Sequence, residues 1–260
     1  MTAEKLRSFM ARGAIWGFIV LELIFFSIAG EFLSLSDKAF MDWDNMLLLF
    51  KQSAPIGIIA LGMTVIMING NIDLSVGAVL ALASALAIGL QDSIGVWPAV
   101  FCGLLSGVAL GALNGTIIAL SGIHSFIVTL GALIGVRGLV FIYTGEDALM
   151  VSDFSYTEYP EIYLGPLSIT AMIFLGLAFL FQWILTSTRH GREAYSVGDN
   201  IEAAHDAGIN VKRNKIINFT ICGGLAAVAG ILTDGNGRAC SSFAKRSRSG
   251  WSRRGMDVLL

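Results

Sequence analysis

The chain has 260 residues, of which 55% are hydrophobic and only 14% charged, and its mean hydropathy is +0.73. Soluble domains carry about 25% charged residues, so this composition excludes an ordinary water-soluble globule and points to a chain built for lipid. The net charge of −2 gives no basis for a nucleic-acid partner, and in a membrane protein the placement of charge matters more than its sum.

Lys5, Arg7 and Arg12 precede an apolar run at residues 13–30, close to the ~20 residues a bilayer requires, and place the N-terminus in the cytoplasm. Ser27, Ile28 and Ala29 before Gly30 mimic a signal-peptide cleavage pattern. Glu22 interrupts the run, however, and the rest of the chain is itself polytopic, so a retained first span is expected. Glu22 should face protein or water rather than lipid. Glu31, Asp37, Asp42 and Asp44 then outweigh Lys38, which suits an outer loop. Residues 46–69 return inward, with Lys51 placed to snorkel and Pro55 marking either the helix start or a kink.

A polar break follows, Gly70-Asn71-Ile72-Asp73-Leu74-Ser75-Val76-Gly77. Gly70 can end one helix, and Asp73 or Ser75 can cap the next. Two readings stand side by side: a tight turn between helices, or a break at membrane depth that lines a pathway. Asn71, Asp73 and Ser75 are the candidate pathway or structural residues here. Residues 76–90 form a short, Ala-rich third span. Residues 97–121 form the fourth, with Gly103, Gly107, Gly111 and Gly115 making a bare stripe. That stripe predicts close packing within the chain rather than a dimer seam. Asn114-Gly115-Thr116 and Asn218-Phe219-Thr220 match the glycosylation pattern by chance, because both lie in apolar runs.

Residues 125–144 are the fifth span and contain Arg137. Exposure of that charge to lipid would cost ~2.5–3.5 kcal/mol, so it is expected to face protein or water in a structural pairing role. The loop at residues 145–165 has five acidic residues and no Lys or Arg, and its Phe154, Tyr156, Tyr159 and Tyr163 suit an interface. Residues 167–185 return inward and residues 216–232 run outward, giving about seven spans and an all-α, polytopic helical membrane protein.

Between the last two spans lies a polar loop, residues 188–215, with Arg189, Arg192, Lys212, Arg213 and Lys215 crowding its ends, which marks the cytoplasmic side. A short helix is predicted inside it, with Asp199 as N-cap, Glu202 completing a box-like cap and Gly208 as the stop. Ile201, Ala203, Ala204 and Ala207 give it a small-residue surface that another protein can approach.

Glu202-Ala203-Ala204, three residues, then Gly208 is similar to the EAA signature of ABC-importer permeases. Gly191-Arg192, Tyr195-Ser196-Val197-Gly198, Asn200 and Gly208-Ile209 resemble the ribose/xylose branch of sugar permeases. Gly62-Met63-Thr64 and the polar break resemble further motifs of that branch, with Asn71 where a second Gly is usual. Ser125-Phe126-Ile127-Val128-Thr129-Leu130-Gly131 resembles another, with His124 where Pro is usual, and Arg137-Gly138 matches a common pair. The Leu-Pro downstream of the longer EAA form is absent. The resemblance covers most of residues 57–232.

It implies a noncatalytic permease subunit in the bacterial inner membrane, importing a monosaccharide such as ribose or xylose. Its expected partners are an ABC ATPase subunit docking at Glu202, Ala203, Ala204 and Gly208, an external sugar-binding protein, a second permease subunit, and membrane lipid. No phosphate-binding Gly-x-x-x-x-Gly-Lys-Ser/Thr motif occurs, so ATP hydrolysis would lie in a partner, and no cofactor or metal is implied. The alternative is an ion-coupled secondary transporter using Asp73 and Arg137. No nucleophile–base, paired-carboxylate or metal-ligand constellation supports an intramembrane enzyme. Cys102, Cys222 and Cys240 show no paired spacing.

The pattern divides the chain into a transmembrane domain, 1–233, and a basic tail, 234–260, carrying Arg238, Lys245, Arg246, Arg248, Arg253 and Arg254. On the topology above the tail would lie outside, against the positive-inside rule, so a truncated or frameshifted permease is expected.

Overall fold

The computed structural model describes residues 17–18, 20–28, 40–145 and 163–234. Contacts divide the chain into two units, Met1–Gln52 and Ser53–Leu260. The expected basic flank at residues 1–12, most of the two acidic loops and the tail beyond residue 234 lie outside the described residues. In the first unit residues 17–18 and 20–28 are helical and Glu22 is exposed. Phe25 and Phe26 meet edge to face with ring centroids 5.5 Å apart.

Helix α1, Trp43–Ile68, starts in the first unit and runs into the second. Asp44 lies in its first turn, where a negative charge favours the helix dipole. Pro55 therefore sits inside the helix rather than at its start. Lys51, expected to reach the headgroups, is instead buried at 6% exposure. A charge in such surroundings persists only with polar partners.

The second unit continues with α2 (Val76–Gly89), α3 (Gln91–Ile94), α4 (Val96–Ser121) and α5 (Ser125–Thr144). Gly122 and Gly145, at φ 69° and 61°, end α4 and α5. His124 holds φ −59°, the angle a proline ring would impose, and its Nδ1 accepts the Phe126 N–H at 3.3 Å to cap α5. A two-residue antiparallel hairpin, β1 (Tyr163–Leu164) with β2 (Leu167–Ser168), leads into α6 (Ile169–Ser187). Gly165 at φ 68° opens its turn. Then come α7 (Arg189–Asp199), α8 (Ile201–Asp206) and α9 (Val211–Asp234). Among the described residues the fold is all-α apart from that hairpin.

Among the described residues five helices, α1, α4, α5, α6 and α9, are long and apolar enough to cross a membrane. The expected third span is shorter than foreseen. Fourteen residues in α2 rise only about 21 Å, against the ~30 Å hydrocarbon core. Leu90 then interrupts the helix before α3.

The centre of this unit is α4 against α2 and α9, and the glycine stripe makes it possible. A Cβ on Gly103 would lie 2.5 Å from the Ala83 carbonyl oxygen of α2, and one on Gly107 2.5 Å from both Ala227 Cβ and the Gly223 carbonyl oxygen of α9. One on Gly111 would collide with the Phe219 carbonyl, and one on Gly115 would sit 2.9 Å from Ile216 Cα. The stripe is thus consumed within the chain, as its spacing predicted. The opposite face of α4 turns Phe101, Leu105 and Leu113 outward. Between lipid and protein there is no hydrophobic gradient, so bare backbone and dispersion contacts hold these helices together. A cluster of Ile66, Ile118, Phe219 and Cys222 packs beside the start of the polar break.

Candidate functional site

The polar break takes its shape from Gly70. At φ 74° this residue closes α1: Gly70 N donates to Met67 O and Asn71 N to Ile66 O, both at 3.0 Å, the paired bonds of a Schellman cap. The chain then runs without helix from Asn71 to Asp73. Asp73 Oδ1 accepts from Ser75 N at 2.7 Å and from Ser75 Oγ at 2.6 Å, a local turn that starts α2. Asp73 and Ser75, the two residues weighed as caps, thus act together. Ser75 holds the cap position and contributes no side-chain cap bond of its own to α2.

Both residues are buried, Asp73 at 2% and Ser75 at 0% exposure. Asn114 Nδ2 of α4 donates to Ser75 Oγ at 3.0 Å, and Ile72 N donates to Ser125 Oγ of α5 at 3.2 Å. Asn114 lies seven residues before the end of α4, which sets Ser75 about 10 Å inside that end. Irregular backbone enclosed by neighbouring helices is the form in which a membrane-spanning fold tolerates a break.

The other side of the break is tied to a ladder of amides. Asn71 Nδ2 donates to Asn69 O at 2.9 Å and to Asn69 Oδ1 at 3.2 Å. Asn69 Nδ2 donates to Asn214 Oδ1 of α9 at 2.7 Å, and Asn218 Nδ2, one turn along α9, donates to the same oxygen at 3.0 Å. His190 Nε2 of α7 lies 2.7 Å from Asn218 Oδ1, so that nitrogen carries the proton and donates. Asn69, Asn214 and Asn218 are all buried, and Asn214 Nδ2 is left without a partner.

The basic-ended loop holds two helices where one was expected. Thr188 caps α7 through its Oγ1, which accepts from Gly191 N at 3.2 Å. Arg189 and Glu193 pair across one turn at 2.6 Å on an exposed face, a contact of small energetic weight. Gly198 approaches the Ile68 carbonyl at the end of α1 so closely that no Cβ fits. The N-cap of α8 is Asn200 rather than Asp199. Asp199 ends α7, whereas Asn200 is extended at φ −153°, ψ 112° and its Oδ1 accepts from Ala203 N at 3.0 Å.

Gly208, at φ 80°, ends α8 with a second Schellman pair, Gly208 N to His205 O at 2.9 Å and Ile209 N to Ala204 O at 3.0 Å. Ala204 is buried and anchors the helix, while Glu202 and Ala203 are exposed. Asn71, Asp73 and Ser75 thus come together. Arg137 stands apart from them on an exposed face of α5, twelve residues and about 18 Å beyond Ser125. Asn69, Asn114, Asn214, Asn218 and His190 were not singled out by the sequence as site residues. Their one local signal was Asn214 and Asn218 at i, i+4 spacing.

Residues 45–233 match the family described as branched-chain amino acid transport system / permease component. The chain is 35% identical to the ribose import permease protein RbsC of Escherichia coli (strain K12) over 201 residues, 74% of this chain and 62% of that protein. RbsC of Bacillus subtilis (strain 168) is 35% identical over 76% of this chain and 63% of its own length. The D-allose transport system permease protein AlsC of Escherichia coli (strain K12) is 32% identical over 79% and 64%. The chain therefore spans somewhat under two thirds of the length of these relatives. No solved structure matches it.

Proposed function

The chain belongs to the branched-chain amino acid transport system / permease component family, and from that premise we propose that it is a transmembrane permease subunit of an ATP-driven ABC importer for a monosaccharide such as ribose or xylose. The names of its relatives, ribose and D-allose permeases, support the sugar class and give the ion-coupled alternative no support. One observation carries the reading: α8, capped at both ends, anchored by Ala204 and exposing Glu202 and Ala203, follows a helix whose Gly198 is wedged against the end of α1. A soluble partner pressing on α8 would push against the membrane part itself.

On this reading the subunit is noncatalytic. An ABC ATPase subunit docks at Glu202, Ala203, Ala204 and Gly208, an external sugar-binding protein delivers substrate, and a second permease subunit completes the pathway. The protein is a multi-pass component of the bacterial inner membrane, with the N-terminus and the 188–215 loop in the cytoplasm. Residues 1–233 form the permease domain. Asn71, Asp73 and Ser75 line or shape the pathway, and Arg137 has a structural role at an interface with protein or water.

The test is reconstitution in proteoliposomes with a cognate ATPase and binding protein, followed by uptake of labelled ribose or xylose. ATP-dependent uptake supports the proposal. Uptake that needs an ion gradient and no ATP would overturn it.

A further inference from the structure

The amide ladder joins a loop helix to a membrane break, and its arrangement is not that of a core chosen for stability. Two donors, Asn69 Nδ2 and Asn218 Nδ2, converge on Asn214 Oδ1, and the Asn214 Nδ2 donor is left buried and unused. An unused buried donor costs free energy that apolar residues of the same shape would avoid. The ladder also divides the break. Asn71 bonds back to Asn69, on the ladder side, while Ile72 bonds to Ser125 and Ser75 to Asn114, on the α4–α5 side. A seam thus falls between Asn71 and Ile72.

Two contacts join α7 to the ladder side of that seam: His190, through Asn218 and Asn214 to Asn69, and Gly198, against Ile68. Resting on the permease reading above, we propose that His190, Asn218, Asn214 and Asn69 are positioning residues that carry displacement of α7 to the polar break, moving the Asn69–Asn71 half against the Ile72–Ser75 half. Hydrogen bonds shielded from water are stiff and polarise one another, which suits them to transmit a small shift. Such a link is established by the response of one end to a change at the other, not by adjacency alone.

Ile72 is 44% exposed at the seam and offers a reporter. In a background with Cys102→Ala, Cys222→Ala and Cys240→Ala, Ile72→Cys is labelled in membrane vesicles with a methanethiosulfonate reagent. The loop end of the ladder is then altered. His190→Leu, which loses one ladder hydrogen bond, should change the labelling rate by about fivefold, and Asn218→Leu, which loses two, by at least as much. His190→Gln, which retains a donor, should stay near the parent rate. Leu variants within about twofold of the parent overturn the proposal, and so does a change of equal size in His190→Gln, which would mark general loosening.

Labelling requires no transport, so it stands whether or not the permease reading holds. In the assembled transporter His190→Leu should also lower sugar uptake per ATP hydrolysed while subunit assembly is kept. Parent vesicles without ATP-driven uptake would defeat the permease reading alone.

Discussion

Asn214 and Asn218 lie one turn apart on α9 and are joined by a 3.0 Å hydrogen bond whose acceptor, Asn214 Oδ1, also receives Asn69 Nδ2 at 2.7 Å. The single amide oxygen of Asn214 therefore holds the first turns of α9 to the end of α1. Its loss leaves two buried donors without an acceptor, and each such orphan costs about 1–3 kcal/mol. Asn214→Leu should destabilise the folded protein by about 2–5 kcal/mol, a little less than two full penalties because the unused Nδ2 donor disappears with it. Thermal unfolding in detergent, followed by the loss of monodisperse protein on size exclusion, measures this. An unchanged midpoint would show that the amide oxygen is not holding the two helices.

The glycines of α4 and α5 invite a paired comparison. At Gly107 a methyl group meets Ala227 Cβ and the Gly223 carbonyl oxygen at 2.5 Å, whereas at Gly131 of α5 nothing lies within 4 Å. Gly107→Ala forces α4 and α9 apart and should cost about 1–3 kcal/mol, as overpacked cores do. Gly131→Ala meets no neighbour and should be neutral or gain up to ~1 kcal/mol from helix propensity. Melting temperatures of the two variants in one detergent should move in opposite directions, or the Gly131 variant should not move at all. Equal losses would mean that the α4–α9 approach is not as close as the backbone indicates.

Asp73 acts through one oxygen, which accepts both the backbone and the hydroxyl of Ser75. Asp73→Asn retains an amide oxygen in that place and should keep the break intact. Asp73→Ala removes the turn and orphans Ser75 N, at about 1–3 kcal/mol. On the proposed importer reading, uptake in proteoliposomes with a cognate ATPase and binding protein should survive the first substitution far better than the second. If Asp73→Asn abolishes uptake while the protein stays folded, the charge itself is required and the structural account of Asp73 fails.

The sequence made the membrane helices legible because apolar runs of 20 or so residues have few other uses. The α5 bounds, Ser125–Thr144, are those expected. Gly70 and Gly208 were readable as helix stops because a left-handed residue there is a local property, and both carry positive φ. The glycine stripe named its own packing role. What sequence could not reveal was long-range pairing: Asn69 meets Asn214 across 145 positions, and nothing in either neighbourhood signals the other. Asp199, the expected cap, and its neighbour Asn200 are both good N-cap residue types, and only the backbone angles decide between them. The short α2 was overestimated by one residue at Leu90, which is helical in its angles yet interrupts the helix.

The sharpest test of the loop lies at Gly208. Its φ of 80° permits the two bonds that stop α8, Gly208 N to His205 O and Ile209 N to Ala204 O. A β-branched side chain in that conformation costs about 1–3 kcal/mol, so Gly208→Val should either unravel the cap or let α8 extend toward α9. Both outcomes displace the exposed Glu202 and Ala203 relative to the α7 contact with α1. The membrane helices are held elsewhere, by the α4–α9 approach and the amide ladder, and should insert and pack as before. Expected, then, are normal membrane levels of the Gly208→Val protein, weaker co-purification of the ATPase, and ATP-driven uptake reduced at least ~10-fold, as about 1.4 kcal/mol of lost docking energy would produce. Gly208→Asn, which tolerates the left-handed region, should retain much of the activity. Full uptake by the valine variant would overturn the proposed docking of an ATPase subunit at α8.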